Sequence, residues 1–209
     1  GSNENGLQRL WGMTLLERAA RQVGECGIKK IVITCLPGEE IRRFFRADFW
    51  KRYADVNVEF VHEEINQFSS LTSLIQSSDD GVIVLEGHSL YDERLTKEFC
   101  DSDKPIVAVD RTGTFPVLAV VDRSWAAAPI QNLDQWVSVL RGHGNEINIH
   151  SMEKYYRRLR SYQDVYWIRI TGAGDLQVAD RYLKGSVHKA TNDVIAKFIH
   201  PPFEFALTR

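Results

Sequence analysis

The sequence predicts an α/β protein, a three-layer α/β/α sandwich built around a mostly parallel sheet. Apolar strand-like segments alternate with amphipathic helical segments along the 209 residues, and no internal repeat is present. The runs 31–33 (IVI) and 82–85 (VIVL) are apolar throughout, which is typical of strands covered by helices on both faces. Right-handed crossovers between such strands would place helices on both sides of the sheet.

The segment from Thr14 to Cys35 contains the clearest helix–strand unit. Thr14, followed three residues later by Glu17, forms a capping box, in which each side chain binds a free backbone N–H at a helix start. Apolar residues then recur at helical spacing on one face: Leu15, Leu16, Ala19, Ala20 and Val23. Gly27 supplies the left-handed conformation that commonly ends a helix, and the strand 31–33 follows it.

The other elements follow from the same patterns. Helices are predicted at Glu39–Tyr53, Phe68–Gln76, Tyr91–Phe99, Leu133–Arg141, Met152–Tyr162 and Asp175–Ile199. Strands are predicted at Val56–Val61, Val82–Leu85, Ile106–Val109, Val117–Val121, Ile147–Ile149 and Val165–Ile170. Because residues 111–114 (RTGT) are typical of a turn, the third and fourth of these strands are expected to form a hairpin.

Composition argues against several classes of protein. The chain is 44% hydrophobic and 26% charged, which is ordinary for a globular domain with a core. Its formal net charge of −2 argues against a general nucleic-acid binder, which would need a basic surplus. The three cysteines lie in helical or strand contexts, so they indicate buried thiols in a reducing compartment and not a disulfide framework.

No strong catalytic motif is present in the sequence. The six histidines are scattered, without the spacing of a metal site. There is no G-x-S-x-G nucleophile elbow, no Walker-type phosphate loop and no G-x-G-x-x-G. Residues 172–174 (GAG) ahead of a helix would expose backbone N–H groups to an anion, but a simple tight turn is the more common meaning of such a pattern.

Residues 42–53 (RRFFRADFWKRY) interleave cations with aromatic side chains. One interpretation is a membrane-surface face, with rings in the lipid interface and Arg42, Arg43 and Arg46 on anionic lipid. The alternative is that the aromatics pack on the sheet and the arginines form a solvated face, which the amphipathic pattern favours.

Several stretches resemble sugar-nucleotidyltransferase domains. Residues 11–18 (WGMTLLER) resemble the region just after the signature loop of those domains. Residues 84–92 (VLEGHSLYD) look like the strand and turn that end in a metal-binding aspartate, and residues 167–180 (WIRITGAGDLQVAD) are similar to the late strand and helix. Residues 184–209 resemble the juxtamembrane stretch of CDP-alcohol phosphatidyltransferases that carry such a domain ahead of their membrane part. The matching positions in that stretch are Lys189, Thr191, Asn192, Asp193 and Pro201.

This resemblance implies a nucleotidyltransferase-like domain over residues 1–183 and a juxtamembrane helical tail over 184–209. It implies a parent enzyme of phospholipid synthesis that moves a phosphoalcohol from a CDP-alcohol to an acceptor at the cytoplasmic face of a membrane. The expected partner is a transmembrane transferase domain of the same chain, with an anionic membrane surface and a second copy as further candidates and no nucleic acid. The residues assigned to the membrane side are Arg42, Arg43, Arg46, Lys189 and Lys197.

The chain departs from that family where nucleotide and metal should bind. Active members carry a glycine-rich loop that cradles phosphates, of which only Arg9 remains here. The metal-binding aspartate position holds His88, and the late strand reads Arg169, Ile170 and Thr171 where a second carboxylate is expected. Because Mg²⁺ prefers hard carboxylate oxygens, these changes imply a catalytically degenerate domain without a cofactor, serving as a scaffold or in membrane docking.

Two alternatives stay open. The chain could be an active Mg²⁺-dependent cytidylyltransferase that makes a CDP-alcohol from CTP. Its nucleotide pocket would then contain Arg9, Glu86, His88 and Asp92. It could also be a free-standing α/β protein that binds a ligand in the crevice at the carboxyl ends of its strands.

Overall fold

The computed structural model describes residues 6–35, 40–63, 68–79, 81–109, 116–126, 130, 133–143, 145–148 and 167–196. Within these ranges the chain is mixed α/β, with six α-helices and strands in four small sheets. No helix of the described ranges is both long and apolar enough to cross a membrane.

The elements are named in chain order. The strands are β1 (Arg9–Leu10), β2 (Met13–Thr14), β3 (Lys30–Cys35), β4 (Asn57–His62), β5 (Val82–Leu85), β6 (Ser89–Tyr91), β7 (Ile106–Val109), β8 (Pro116–Val121), β9 (Asn145–Asn148) and β10 (Trp167–Arg169). The α-helices are α1 (Leu15–Glu25), α2 (Ala47–Arg52), α3 (Ser69–Ser77), α4 (Glu93–Cys100), α5 (Leu133–His143) and α6 (Ala173–Ala196). Two short 3₁₀ turns cover Ile41–Phe44 and Arg123–Ala126.

Antiparallel pairing dominates among the described strands. The largest sheet has the order β5-β8-β7-β9, and the two-stranded sheets are β1 with β2, β3 with β4 and β6 with β10. Only β3–β4 and β7–β9 are parallel, whereas the other four pairings are antiparallel. The predicted mostly parallel sheet is therefore wrong for these strands. The expected antiparallel pairing of β7 with β8 is confirmed. Because β8 runs opposite to both of its neighbours, β5 and β7, it accounts for two of the antiparallel pairings.

The four-stranded sheet has helices on both faces. Because side chains alternate along a strand, Val107 and Val109 pack with Ile75 of α3 and Leu140 of α5. Ala108 points to the opposite face and packs with α4. This part of the chain is layered as expected, while the three-layer arrangement of the whole chain stays a prediction.

Helix α1 starts with half of the expected capping box. Thr14 Oγ1 accepts a hydrogen bond from the Glu17 backbone N–H at 3.1 Å, as predicted. The Glu17 carboxylate does not return the bond; it is fully buried and accepts hydrogen bonds from Arg21 at 2.7 Å and from the Arg46 backbone N–H at 3.1 Å. Gly27, at φ +87°, follows the helix end as expected.

The predicted helix Glu39–Tyr53 is wrong in its continuity. A 3₁₀ turn ends at Phe44, Phe45 is extended at φ −86° and ψ 137°, and α2 begins only after Arg46. The physical reason is a competing partner, because the Arg46 N–H that a helix would direct backwards along the chain donates to the buried Glu17 carboxylate.

The aromatic side chains of this segment pack on β3 and β4. Phe45, Phe49 and Tyr53 are buried in one cluster with Ile33. The Phe45 and Phe49 rings meet edge to face, with centroids 4.8 Å apart. The rings therefore belong to the core, which agrees with the second of the two interpretations of residues 42–53.

Helix α6 runs without interruption through position 184, where the sequence interpretation divides the chain. It packs beside the β1–β2 hairpin, whose turn residue Trp11 donates its indole N–H to Asp180 at 2.8 Å. Three predictions lie outside the described residues, namely the turn at 111–114, the helix Met152–Tyr162 and everything beyond 196, including Lys197.

Candidate functional site

Strands β6 and β10 bring together the two stretches to which the sequence resemblance points. They pair antiparallel with Ser89 opposite Arg169, and the Ile170 N–H donates to the His88 carbonyl at 3.0 Å. We call Glu86, His88, Ser89 and Arg169 the Glu86 cluster. The two positions at which the resemblance expects metal-binding carboxylates therefore lie side by side.

The Glu86 carboxylate is already engaged within this cluster. Arg169 Nε donates to Glu86 Oε2 at 2.9 Å, and a second guanidinium nitrogen binds Oε1. The Ser89 hydroxyl also donates to Oε2, at 3.0 Å. The pair is about a quarter exposed, and the guanidinium lies 5.3 Å from the centroid of the Trp167 ring. Both carboxylate oxygens are thus hydrogen-bonded, and the negative charge is balanced by a bidentate partner.

His88 is a poor replacement for a metal-binding aspartate. Burial lowers the pKa of His88, and the guanidinium of Arg169 acts in the same direction while Glu86 opposes it. The side chain therefore favours the neutral imidazole, which is a weaker ligand for Mg²⁺ than a carboxylate.

Asp92 is held in a structural role. It is the N-cap of α4 and accepts hydrogen bonds from the backbone N–H of Arg94 at 2.9 Å and from its guanidinium at 2.8 Å. The Tyr182 hydroxyl of α6 binds the other carboxylate oxygen. Burial would raise the pKa of Asp92, but these hydrogen bonds outweigh burial and hold it below its ordinary value.

Arg9 does not join the other predicted pocket residues. Its guanidinium donates to the carbonyl of Gly12 in its own hairpin at 3.3 Å. No hydrogen bond or ion pair recorded for the described residues links Arg9 to Glu86, His88 or Asp92. Of the four predicted residues, only Glu86 and His88 therefore belong to one cluster.

The described residues contain no group of three His, Cys, Asp or Glu side chains placed to hold a metal ion. Around Glu86, the groups that a Mg²⁺ ion would meet are an imidazole and a guanidinium. A guanidinium repels a cation, and it has only hydrogen-bond donors and no acceptor atom that could coordinate a metal. These residues therefore do not fit the magnesium that the alternative interpretation requires.

A second region lies at the carboxyl ends of the parallel strands β3 and β4. An open groove of about 520 Å³ is lined there by Glu40, Ile41, Arg42, Arg43, Trp50, Phe60 and His62, and we call it the basic groove. His62 ends β4 and is paired with Cys35, which ends β3; His62 Nδ1 lies 3.4 Å from Cys35 Sγ. The sequence interpretation did not assign Phe60 and His62 to a site; Phe60 lies in the predicted strand Val56–Val61, and His62 directly follows it.

The arginines of residues 42–46 differ in their partners. The Arg42 guanidinium stacks 4.0 Å from the centroid of the Trp50 ring, and no carboxylate of the described residues pairs with it. Arg43 approaches Glu40 at 3.7 Å, with both side chains mostly exposed. Arg46 pairs with Asp48 at 3.1 Å. Of these three arginines, Arg42 is thus the one without a carboxylate partner in the part of the chain that the structure describes.

The two lysines assigned to the membrane side give less information. The backbone of Lys189 lies in α6, and Lys197 lies outside the described residues. The structure therefore brings Arg42 and Arg43 together at one surface, and it leaves the two lysines as predictions.

Searches with known proteins add no relative. No protein-family model matches this chain, and no curated protein matches it. The assignment of a function therefore depends on the geometry of the Glu86 cluster and of the basic groove.

Proposed function

We propose that this chain is a nucleotidyltransferase-like domain without nucleotidyl-transfer activity, at the cytoplasmic face of a membrane CDP-alcohol phosphatidyltransferase. Its role in this proposal is scaffolding or membrane docking for the transmembrane transferase part. The observation that supports the loss of activity is the bidentate ion pair between Glu86 and Arg169.

The chemistry of nucleotidyl transfer explains why this pair matters. Transfer from CTP builds negative charge on the phosphates, which Mg²⁺ held by carboxylates normally neutralises. Here the oxygens of Glu86 are bound by Arg169 and Ser89. The oxygens of Asp92 are bound by Arg94 and Tyr182. Freeing Glu86 for a metal would leave the guanidinium beside the metal as a like charge, so the site opposes the ion that the reaction needs.

A thermal-shift experiment with CTP, in the presence and absence of Mg²⁺, tests the inactive site. A ligand at a hundredfold excess over its Kd stabilises a protein by about 2.7 kcal/mol, which is readily measured as a rise in Tm. We expect no Mg²⁺-dependent rise for the natural chain. A Mg²⁺-dependent rise that disappears in Glu86→Gln would overturn the proposal in favour of the active cytidylyltransferase.

The membrane role is tested by flotation with vesicles of phosphatidylcholine, with and without phosphatidic acid. The variant Arg42→Glu/Arg43→Glu/Arg46→Glu should lose binding to the acidic vesicles, because like charges repel at the surface. Arg52→Glu on the same segment is the matched control. Unchanged binding of the triple variant would remove the docking role from these residues.

The second candidate function is a free-standing α/β protein that binds a ligand at the carboxyl ends of its strands. The observation that favours it is the position of the basic groove at the ends of β3 and β4, where α/β proteins commonly bind ligands. Two results together would favour this candidate over the scaffold: a ligand binds this groove without Mg²⁺, and the chain does not bind lipid vesicles.

A further inference from the structure

We infer that the basic groove binds a small organic phosphate, with the phosphate at Arg42 and Arg43 and an aromatic or apolar body against Trp50 and Phe60. This inference does not depend on the inactive Glu86 cluster, because it concerns a different pair of strands. It also requires no metal ion.

The first argument is that the fold fixes the arginines in place. Ile41 and Phe45 are only 4% and 6% exposed, so the segment between them is anchored in the core at both ends. Arg42 and Arg43 lie between these anchors and are exposed at the surface. Their backbone is thus ordered by the core, and a ligand would have little conformational entropy to overcome there.

The second argument is that Arg42 is oriented before any ligand arrives. Its guanidinium stacks on the Trp50 ring at 4.0 Å, which is the geometry of a cation–π contact. This contact restricts the position of the guanidinium over the ring before a ligand binds. No described carboxylate pairs with Arg42, so none of the described acidic side chains takes up its capacity for a bidentate contact with phosphate.

The third argument is the charge of the groove. Its lining has Arg42 and Arg43 as cations and a histidine, His62, against one carboxylate, Glu40. The Arg43–Glu40 pair is long and mostly exposed, and such pairs contribute little and exchange readily. Two arginines that line the same groove suit a phosphate, which can carry two negative charges and present three oxygens.

The fourth argument is the apolar floor and the size of the groove. Trp50 and Phe60 are both half-buried, with ring centroids 6.4 Å apart, so each leaves part of its ring accessible. The volume of about 520 Å³ lies within the range of about 300–1,000 Å³ that is typical of small-molecule sites. A ligand with an aromatic or apolar body would bury these rings further, which inorganic phosphate alone would not do.

The competing explanation is a solvated basic surface that attracts any anion by charge alone. The two explanations differ in their response to a lysine at position 42. A surface field depends only on charge, whereas a stacked, bidentate contact needs the planar guanidinium. The variant Arg42→Lys therefore separates a built site from a general field.

Titration of the whole chain with phenyl phosphate, measured by calorimetry or NMR, tests the inference directly. We expect phenyl phosphate to bind more tightly than inorganic phosphate, and phenol not to bind. Arg42→Gln and Arg42→Lys should each weaken binding by about tenfold or more, as expected for the loss of a charge-assisted contact. Arg52→Gln removes the same charge from the exposed end of α2, outside the lining residues, and should leave the affinity within about twofold.

Three results would overturn the inference: no binding of phenyl phosphate, equal weakening by Arg42→Gln and Arg52→Gln, or full retention of affinity in Arg42→Lys. A vesicle arm identifies the source of the phosphate. If phosphatidic acid vesicles bind through Arg42 and displace phenyl phosphate, the natural ligand is a lipid head group. If vesicles do not bind while phenyl phosphate does, the ligand is a soluble phosphate ester.

These outcomes can be separated from failure of the proposed function. CTP is itself an organic phosphate, so it could bind the groove in a way that depends on Arg42 and not on Mg²⁺. Binding at the Glu86 cluster would instead depend on Mg²⁺ and Glu86. The inactivity of the Glu86 cluster and the binding of phosphate in the groove can therefore each fail while the other stands, and the vesicle arm tests the docking role separately.

Discussion

Two regions of the molecule contain an arginine above a tryptophan ring, and they differ in what neutralises the arginine. At the Glu86 cluster, Arg169 lies 5.3 Å from the Trp167 ring and is bound in bidentate fashion by Glu86. In the basic groove, Arg42 lies 4.0 Å from the Trp50 ring, with no carboxylate partner among the described residues. In the Glu86 cluster the charge of the arginine is neutralised within the protein. In the basic groove the charge of the arginine remains available to an external anion.

The difference shows that residue type alone does not identify a binding site. Glu86, His88 and Asp92 have the chemical groups of a nucleotide and metal site, but the hydrogen bonds of the two carboxylates are directed to partners inside the protein. Arg42 belongs to a segment whose aromatic rings are part of the core, and yet no described carboxylate balances its charge. What separates the two regions is a counter-charge that the described residues supply to Arg169 and do not supply to Arg42.

The largest effect is expected from removing the support under the groove. Phe49 is completely buried and packs the segment 41–53 against strands β3 and β4. Phe49→Ala should therefore destabilise the protein by about 3–5 kcal/mol. Urea unfolding measures this change. Phe44→Ala, which removes a half-buried ring of the same segment, should cost about 1 kcal/mol or less. Equal losses in the two variants would mean that the aromatic cluster does not hold this segment in place.

The next prediction compares the two arginines directly. Arg169→Gln leaves the partly buried Glu86 without its bidentate partner and should destabilise the protein by about 1–2 kcal/mol. Arg42→Gln removes an exposed cation that contacts the Trp50 ring but has no carboxylate partner among the described residues, and it should change stability by about 0.5 kcal/mol or less.

A double-mutant cycle checks that the first loss comes from the ion pair. Glu86→Gln combined with Arg169→Gln should be less destabilising than the sum of the single variants, with a coupling above about 0.5 kcal/mol. Additive effects, or a larger loss for Arg42→Gln than for Arg169→Gln, would remove the distinction between the two regions.

A smaller effect is expected from pH at the Glu86 cluster. Burial lowers the pKa of His88 below its ordinary value of about 6.5, so on acidification the unfolded chain binds a proton at this position before the folded chain does. Stability should therefore be lost as the pH falls below about 6.5, and His88→Asn should reduce that loss. Urea unfolding between neutral and mildly acidic pH measures it. The same slope in the variant and the natural chain would show that His88 does not contribute.

The smallest effect should come from changing the one carboxylate that lines the groove. Glu40→Gln removes an exposed partner of Arg43, which should strengthen phenyl phosphate binding by about twofold, in keeping with the 0.2–1 kcal/mol of exposed ion pairs. Asp48→Asn is the control, because Asp48 pairs with Arg46 and does not line the groove. Weaker binding in Glu40→Gln would contradict the positive character of the site.

Local signals predicted much of the fold. The N-cap at Thr14 and the left-handed Gly27 lie where the sequence places them. The strands from Val82 and Ile106 also agree closely with the sequence prediction. The break at Phe45–Arg46 could not be predicted in this way, because its cause is a hydrogen bond to Glu17, twenty-nine residues earlier in the chain.

The candidate sites show the same division. The sequence indicated Glu86 and His88 as neighbours in the chain, but only the pairing of β6 with β10 brings Arg169 against Glu86 and closes that site. Arg42 was identified from its basic and aromatic surroundings. Phe60 and His62 join it only because β4 lies parallel to β3 and ends beside the 3₁₀ turn.

The sequence by itself determined where most of the helices and strands form, since caps, glycines and apolar periodicity act over a few residues. It also determined which residues carry the charges. The tertiary structure decided which charges are neutralised and which remain available, because ion pairs and stacking depend on distances between residues far apart in the chain. Arg169 and Arg42 are alike in sequence terms, and only their three-dimensional neighbours separate a closed ion pair from an open anion site.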